Sequence, residues 1–182
     1  MLKQAAAVAL RIALFRAGPQ DLPYAPALVR VTLPLAALAA FLQYRLTLPT
    51  FAALVHAAAW IAALALFTHV VLQSRGLVNR FRQTLDTLLL IDGAMTLLML
   101  PALAAIAPHM ARIAENPDLA RSEPLPALPA LGVLAVSLWN FIVTAHVYRH
   151  ALDASPGVGA LVALLGTIVT VSLAGAVGTL VG

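Results

Sequence analysis

Long apolar segments separated by short polar connectors dominate the pattern of this chain. Each segment is close to the roughly twenty apolar residues that a helix needs to cross a bilayer. The first is interrupted by Arg30 and Pro34, which a spanning helix tolerates when the arginine reaches the interface and neighbouring helices satisfy the freed carbonyl. We expect an all-α integral membrane domain over residues 27–182, a bundle of five transmembrane helices. The predicted spans are about 27–44, 51–72, 83–106, 130–148 and 158–181.

Residues 1–26 have a different pattern. Lys3 and Arg11 would share one face of a helix, with Ile12 on the opposite face. This pattern favours a short amphipathic helix lying on the cytoplasmic membrane surface. A frayed basic tail is the alternative, since helices this short are marginal on their own. Prolines and a glycine within 18–26 then favour an extended lead-in to the first span.

Composition strengthens the membrane interpretation. With 62% hydrophobic and 10% charged residues, the chain is too apolar to be hidden in a soluble core. Alternating strands with aromatic girdles, which are typical of a membrane barrel, are absent. The sequence has no cysteine, which excludes disulfides and thiolate chemistry. The net charge of +4 fits loop Lys and Arg in a membrane protein, so we expect no nucleic-acid partner and no cofactor.

The basic residues are unevenly divided between the two sides that five spans would create. One side holds only Arg45, Arg112 and Arg121, partly offset by three acids. The positive-inside rule therefore predicts a bacterial inner-membrane protein with a cytoplasmic N-terminus and a periplasmic C-terminus. If the first span is only re-entrant, both termini share one side. The more basic side would carry Lys3, Arg11, Arg16, Arg75, Arg80, Arg82 and Arg149.

Polar side chains within the predicted spans form two layers, with Asp86, His69 and His146 near the cytoplasmic interface and a deeper pair. Asp92 and Asn140 fall at similar depths in the third and fourth spans. A bare carboxylate is costly inside a bilayer, so Asp92 should face the bundle interior and either find a partner or be protonated. The structural interpretation is an interhelical hydrogen bond between Asp92 and Asn140. The functional alternative is a proton or ion relay from Asp92 through Asp86 to His69 and His146.

The end of the fourth span carries a second group of titratable residues. His146, His150 and Asp153 lie at i, i+4 and i+7, a spacing that could present metal ligands. We predict no metal site, because the neighbouring Arg149 would repel a cation and could pair with Asp153. The favoured interpretation is a membrane-exit collar in which Tyr148 anchors the interface. Anionic headgroups could instead bind to Arg149, His150, Arg75, Arg80 and Arg82.

Small residues recur at every fourth position of the fifth span, at Ala174, Gly178 and Gly182. Such spacing allows close helix approach, either to another span or to another subunit. The sequence shows no nucleotide-binding loop, no metalloprotease motif and no nucleophile with a base. We therefore expect a protein that is not an enzyme.

Several short strings together resemble a known group of proteins. They are Leu14–Arg16, Pro19–Pro23, Arg80–Leu85, Trp139–Asn140 and His146–Leu152. The chain resembles small proteobacterial inner-membrane proteins of the Yip1-like family. The resemblance implies a five-helix integral membrane bundle with a cytoplasmic N-terminal segment. It also implies a role in organising membranes or binding partners.

The leading functional expectation is an accessory subunit, assembly factor or scaffold in a membrane complex. Its partners would be membrane lipids and other membrane subunits or further copies of itself. The first alternative is a small proton-coupled transporter or channel that uses Asp92, Asp86, His69 and His146. The second is a metal-dependent enzyme acting on lipid headgroups through the face of His146 and Asp153.

Overall fold

The computed structural model of the protein describes residues 2–25, 27–119 and 124–181. Within these ranges the chain is helical and contains no strand, as the sequence predicts. Single 3-10 turns at Pro19–Asp21 and Val78–Arg80 precede α2 and α4. The six helices are α1 (Leu2–Ala13), α2 (Val29–Arg45), α3 (Thr50–Ser74), α4 (Phe81–Glu115), α5 (Ala127–Ala151) and α6 (Pro156–Val181).

The five longer helices form a closed ring. Each packs against two neighbours in the order α2, α3, α6, α5, α4 and back to α2. Contacts between Thr32 and Asp86, near the starts of α2 and α4, show that these two helices run in the same direction. Contacts from Gly159 to Ala145 show that α6 runs back along α5. The ring leaves a central cavity that every one of its helices lines.

Small residues allow the helices of the ring to approach closely. A Cβ at Gly93 of α4 would lie 3.2 Å from the Cα of Ala36 in α2. Gly178 of α6 packs against the ring of His56 in α3, and Ala174 is buried. The small-residue face of α6 therefore packs against a span of the same chain. Gly182, the third predicted packing residue, lies outside the described residues.

In the part of the chain that the structure describes, four helices are long and apolar enough to cross a membrane. They correspond to Thr50–Ser74, Val78–Glu115, Ala127–Ala151 and Pro156–Thr179. Their outer faces expose large apolar side chains such as Leu128, which is 83% exposed, as lipid contact requires. Helix α2 has 17 residues and includes Pro34, and its first turn contains Arg30.

Helix α4 is longer than the sequence predicts. We expected the third span to end near residue 106, but α4 continues through Pro101 and Pro108 to Glu115. The two prolines are seven residues apart and both are exposed, so they lie on the same outer face of the helix. The connector between the third and fourth spans, which the sequence predicts over 107–129, is correspondingly shorter in the structure. Its residues Arg121 and Glu123 lie outside the described part of the chain.

Helix α1 is amphipathic, and its apolar face packs on protein. Ala5, Val8 and Ile12 are buried, whereas Lys3 and Arg11 are exposed. The contacts of α1 are with α4 and α5. At its end, the indole Nε1 of Trp139 donates to the carbonyl of Ala13 at 3.2 Å. How α1 lies relative to the membrane surface stays a prediction.

Candidate functional site

The central cavity of the ring has a volume of about 380 Å³. This volume lies within the range of small-molecule pockets. All five helices contribute lining residues, and α2, α4, α5 and α6 add hydroxyl, amide and carboxyl groups to the apolar side chains. The polar lining residues are Gln43, Tyr44, Asp92, Thr96, Ser137, Asn140, Thr144, Tyr148, Thr167 and Thr170.

Asp92 and Asn140 form the polar centre of this cavity. The Nδ2 of Asn140 donates to Oδ1 of Asp92 at 2.6 Å, so the predicted interhelical hydrogen bond is present. The other polar atom of this amide, the Asn140 Oδ1, can only accept a hydrogen bond and so cannot bond to the carboxylate of Asp92. That oxygen is buried and receives no hydrogen bond within the described part of the chain. A buried acceptor without a donor is costly, and a bound water or ligand that donates would satisfy it.

Tyr148 belongs to the cavity wall and not to the membrane interface. Its side chain is 1% exposed, and its hydroxyl lies 2.9 Å from Oγ1 of Thr68 in α3. The ring of Phe67 meets it edge-on at a centroid distance of 6.1 Å. The prediction that Tyr148 anchors the interface is therefore wrong. The residue faces inward because α5 packs this side against the neighbouring helices.

The described lining of the cavity carries ionisable charge of one sign only. Asp92 is the only ionisable carboxylate among the described lining residues, which include no Lys, Arg or His. Four aromatic residues also contribute to the described wall, namely Tyr44, Trp60, Phe141 and Tyr148. Tyr44 stacks at 5.2 Å on the ring of His56. The result is a chamber of apolar, aromatic and neutral polar groups with a single acidic group.

The other candidate relay residues have separate partners. Asp86 accepts a hydrogen bond at 2.8 Å from Oγ1 of Thr32 and faces α2. It precedes Asp92 by six residues, which places the two acids on different faces of α4. His69 packs edge-on against Phe81. The described structure thus does not join Asp86 and His69 to Asp92.

His146 is held by the N-terminal segment. Its Nε2 lies 2.9 Å from the carbonyl oxygen of Ala17. The ring of Phe15 meets it edge-on at 5.4 Å and meets Trp139 at 5.6 Å. Phe15 has φ 59°, a left-handed conformation that is rare for a bulky residue, and this backbone directs its ring onto α5. The sequence pattern does not predict this contact.

A second group of polar residues, which we call the polar end of the bundle, comprises residues 19–22, 78–83 and 149–154. Arg80 forms an ion pair of 2.7 Å with Asp153 and donates to the carbonyls of His150 and Ala151. Gln83 donates to the carbonyl of Leu22 at 3.0 Å. These bonds tie three separate connectors together. A second cavity lies among them.

The predicted pairing of Arg149 with Asp153 is wrong. Helix α5 ends at Ala151, and Asp153 has φ 47°. The amide of Ala154 bonds back to the carbonyl of Arg149 at 3.0 Å, which is the Schellman arrangement of a helix C-terminus. Asp153 therefore leaves the helical face and pairs with Arg80. The hydrogen bond from Arg80 lowers the pKa of the Asp153 carboxyl.

The predicted i, i+4, i+7 face is accordingly interrupted. His146 and His150 remain neighbours, with ring centroids 4.4 Å apart. Asp153 is turned toward Arg80 instead. Among the described residues, no group of three or more His, Asp or Glu is arranged to hold a metal ion.

Comparison with protein-family models, curated proteins and solved structures finds no match for this chain. The Yip1-like resemblance therefore stays a prediction, and the functional argument rests on the geometry of the cavity.

Proposed function

We propose that this chain is a non-enzymatic integral membrane protein that binds a small polar solute in its central cavity. The observation that carries the proposal is the Asp92–Asn140 pair in a chamber of about 380 Å³. A carboxylate held inside a membrane bundle is expensive, and such groups mark ion or substrate sites by default. The unsatisfied Oδ1 of Asn140 adds an acceptor that a solute could use.

We also propose that α2 is the fifth transmembrane helix. Its 17 residues would span about 26 Å at 1.5 Å per residue, close to the thickness of the hydrocarbon core. It runs parallel to α4 and helps to line the cavity, which supports a crossing. With five crossings, the charges at Arg75, Arg80 and Arg82 favour an inner-membrane protein with a cytoplasmic N-terminus and an external C-terminus.

Cysteine accessibility tests the cavity, because the natural chain contains no cysteine. Thr144→Cys would place a thiol in the cavity wall, and Leu134→Cys would place one on the exposed outer face of α5. In proteoliposomes, we expect small water-soluble thiol reagents to modify position 144 at least tenfold faster than position 134. Equal, slow rates at the two positions would contradict a solute-accessible cavity.

A transport role is the form of this function that the cavity best supports. Since Asp86, His69 and His146 have partners elsewhere, a coupled mechanism would depend on Asp92 alone. Flux measured in proteoliposomes should then fall with Asp92→Asn and persist with His146→Ala. Flux that survives Asp92→Asn would contradict a transport mechanism that depends on Asp92.

The second candidate is an accessory subunit or scaffold in a membrane complex. It is favoured by the row of exposed leucines along α5, which includes Leu128, Leu131 and Leu138. If this row docks a partner, replacing Leu131 and Leu138 with Phe should abolish co-purification in mild detergent. The matched replacement of the exposed Leu161 and Leu165 on α6 should preserve it. A partner-free monomer in native membranes would rule this role out.

A further inference from the structure

We infer that the solute of the central cavity is a small organic ammonium ion, paired with Asp92 and lying against aromatic rings. This inference rests on the proposed function and names the class of its ligand. The arrangement that supports it is a carboxylate, an unsatisfied amide oxygen and an aromatic wall in one chamber.

The charge balance of the chamber favours a cation. Asp92 receives a hydrogen bond from the neutral amide of Asn140. The described lining holds no cationic side chain to neutralise the carboxylate. An anionic solute would add like charge in a poorly solvated site, whereas a cation would offset the cost of burying Asp92.

The chemistry of the wall favours an organic cation over a bare metal ion. Hard cations such as Ca²⁺ bind six or more oxygen ligands and favour carboxylates among them, whereas the only carboxylate in the described wall is that of Asp92. Tyr44, Trp60 and Phe141 present aromatic rings, and a cation over such a ring gains about 0.5–2 kcal/mol. Leu64 and Leu88 supply apolar surface for an alkyl group.

The amide oxygen of Asn140 favours ammonium ions that carry N–H groups over those that do not. This oxygen is a buried acceptor that lacks a donor. An ammonium that keeps N–H groups can donate to it and to Asp92 at once. A quaternary ammonium could pair with the charge of Asp92 but could not satisfy the Asn140 oxygen. Primary and secondary alkylammonium ions therefore fit best.

The test compares probes of similar shape and different charge on the full chain in detergent. Isobutylammonium, isobutanol and isobutyrate are titrated by calorimetry at neutral pH. We expect saturable binding of the ammonium, at least tenfold tighter than that of the alcohol, and no binding of the carboxylate. Tetramethylammonium should bind more weakly than isobutylammonium.

Substitutions in the cavity and outside it test whether the ammonium ion binds in the central cavity. Asp92→Asn should weaken ammonium binding at least tenfold, and Trp60→Leu should weaken it about two- to thirtyfold. Asp153→Asn changes an exposed acid at the polar end and should leave the affinity unchanged. Size-exclusion chromatography checks that each variant is folded. If Asp92→Asn does not fold, the probe series on the natural chain and Trp60→Leu decide the question.

Three results would overturn the inference: equal affinity for ammonium and alcohol, preference for the carboxylate, or full affinity in folded Asp92→Asn. If the cavity cysteine reacts rapidly but no ammonium binds, only the ligand class is wrong. If the cavity cysteine is also unreactive, the proposed function falls as well.

Discussion

The central cavity and the polar end of the bundle bring polar side chains together in different ways. In the cavity, Asp92 and Asn140 meet because α4 and α5 are regular helices that pack side by side and place the two residues at the same depth. At the polar end, Arg80 meets Asp153 because a helix stops and the chain turns into a left-handed residue. Contacts within regular helices follow from sequence spacing, whereas contacts beyond a helix end depend on the turn.

The largest effect is expected where helices approach most closely. A Cβ at Gly159 would lie 2.5 Å from the carbonyl oxygen of Ala145, so Gly159→Leu must separate α5 from α6. Overpacking commonly costs about 1–3 kcal/mol or more. We expect loss of the monodisperse species in size-exclusion chromatography. Gly175→Leu is the matched control, because open space surrounds that position. Equal tolerance of both substitutions would contradict the packing of α5 on α6.

An intermediate effect is expected at the cavity wall. Tyr148→Phe leaves the Thr68 hydroxyl without its partner, and Thr68→Val does the same to Tyr148. Each change should lower the free energy of unfolding by about 1 kcal/mol, because hydrogen bonds in membrane bundles are worth roughly that much. A double-mutant cycle measured by thermal unfolding should show coupling. Strict additivity would mean that the two hydroxyls do not interact.

A smaller effect is expected at Phe15, where the ring contacts stabilise the fold and the left-handed backbone destabilises it. Phe15→Ala loses the ring contacts with Trp139 and His146 and keeps the left-handed backbone. Phe15→Gly loses the same contacts but removes the backbone strain, which is worth about 1 kcal/mol. Limited proteolysis should therefore release the N-terminal segment more slowly from Phe15→Gly than from Phe15→Ala. The reverse order would exclude strain at this residue.

The smallest effect is expected at the exposed Arg80–Asp153 pair. Because the pKa of Asp153 is lowered in the folded protein, the pair stabilises the fold above the ordinary carboxyl pKa of about 3.9. That contribution is lost as the pH falls through the lower folded value. The difference in unfolding temperature between the natural chain and Asp153→Asn should be small at pH 7 and should shrink as the pH falls below the ordinary carboxyl pKa. A difference that grows in acid would contradict the pairing.

The sequence predicts the helical class, the approximate bounds of the apolar helices and the Asp92–Asn140 contact. Those features follow from helix length and register. It does not predict that Tyr148 faces inward, because which side of an apolar helix faces its neighbours depends on packing. Nor does it predict the Asp153 turn or the Phe15 contact, since both require left-handed residues that are not glycine. Nor does it predict that α4 continues past Pro108, because an exposed proline can lie within a helix without ending it.

The most direct test of a solute-binding cavity is an experimental density map of the protein in a lipid nanodisc at a resolution that shows bound water. The account predicts ordered density within hydrogen-bond distance of both Oδ1 of Asn140 and the carboxylate of Asp92. It also predicts that the chamber among α2 to α6 remains open. A collapsed chamber, or one filled only by a lipid chain, would contradict the account.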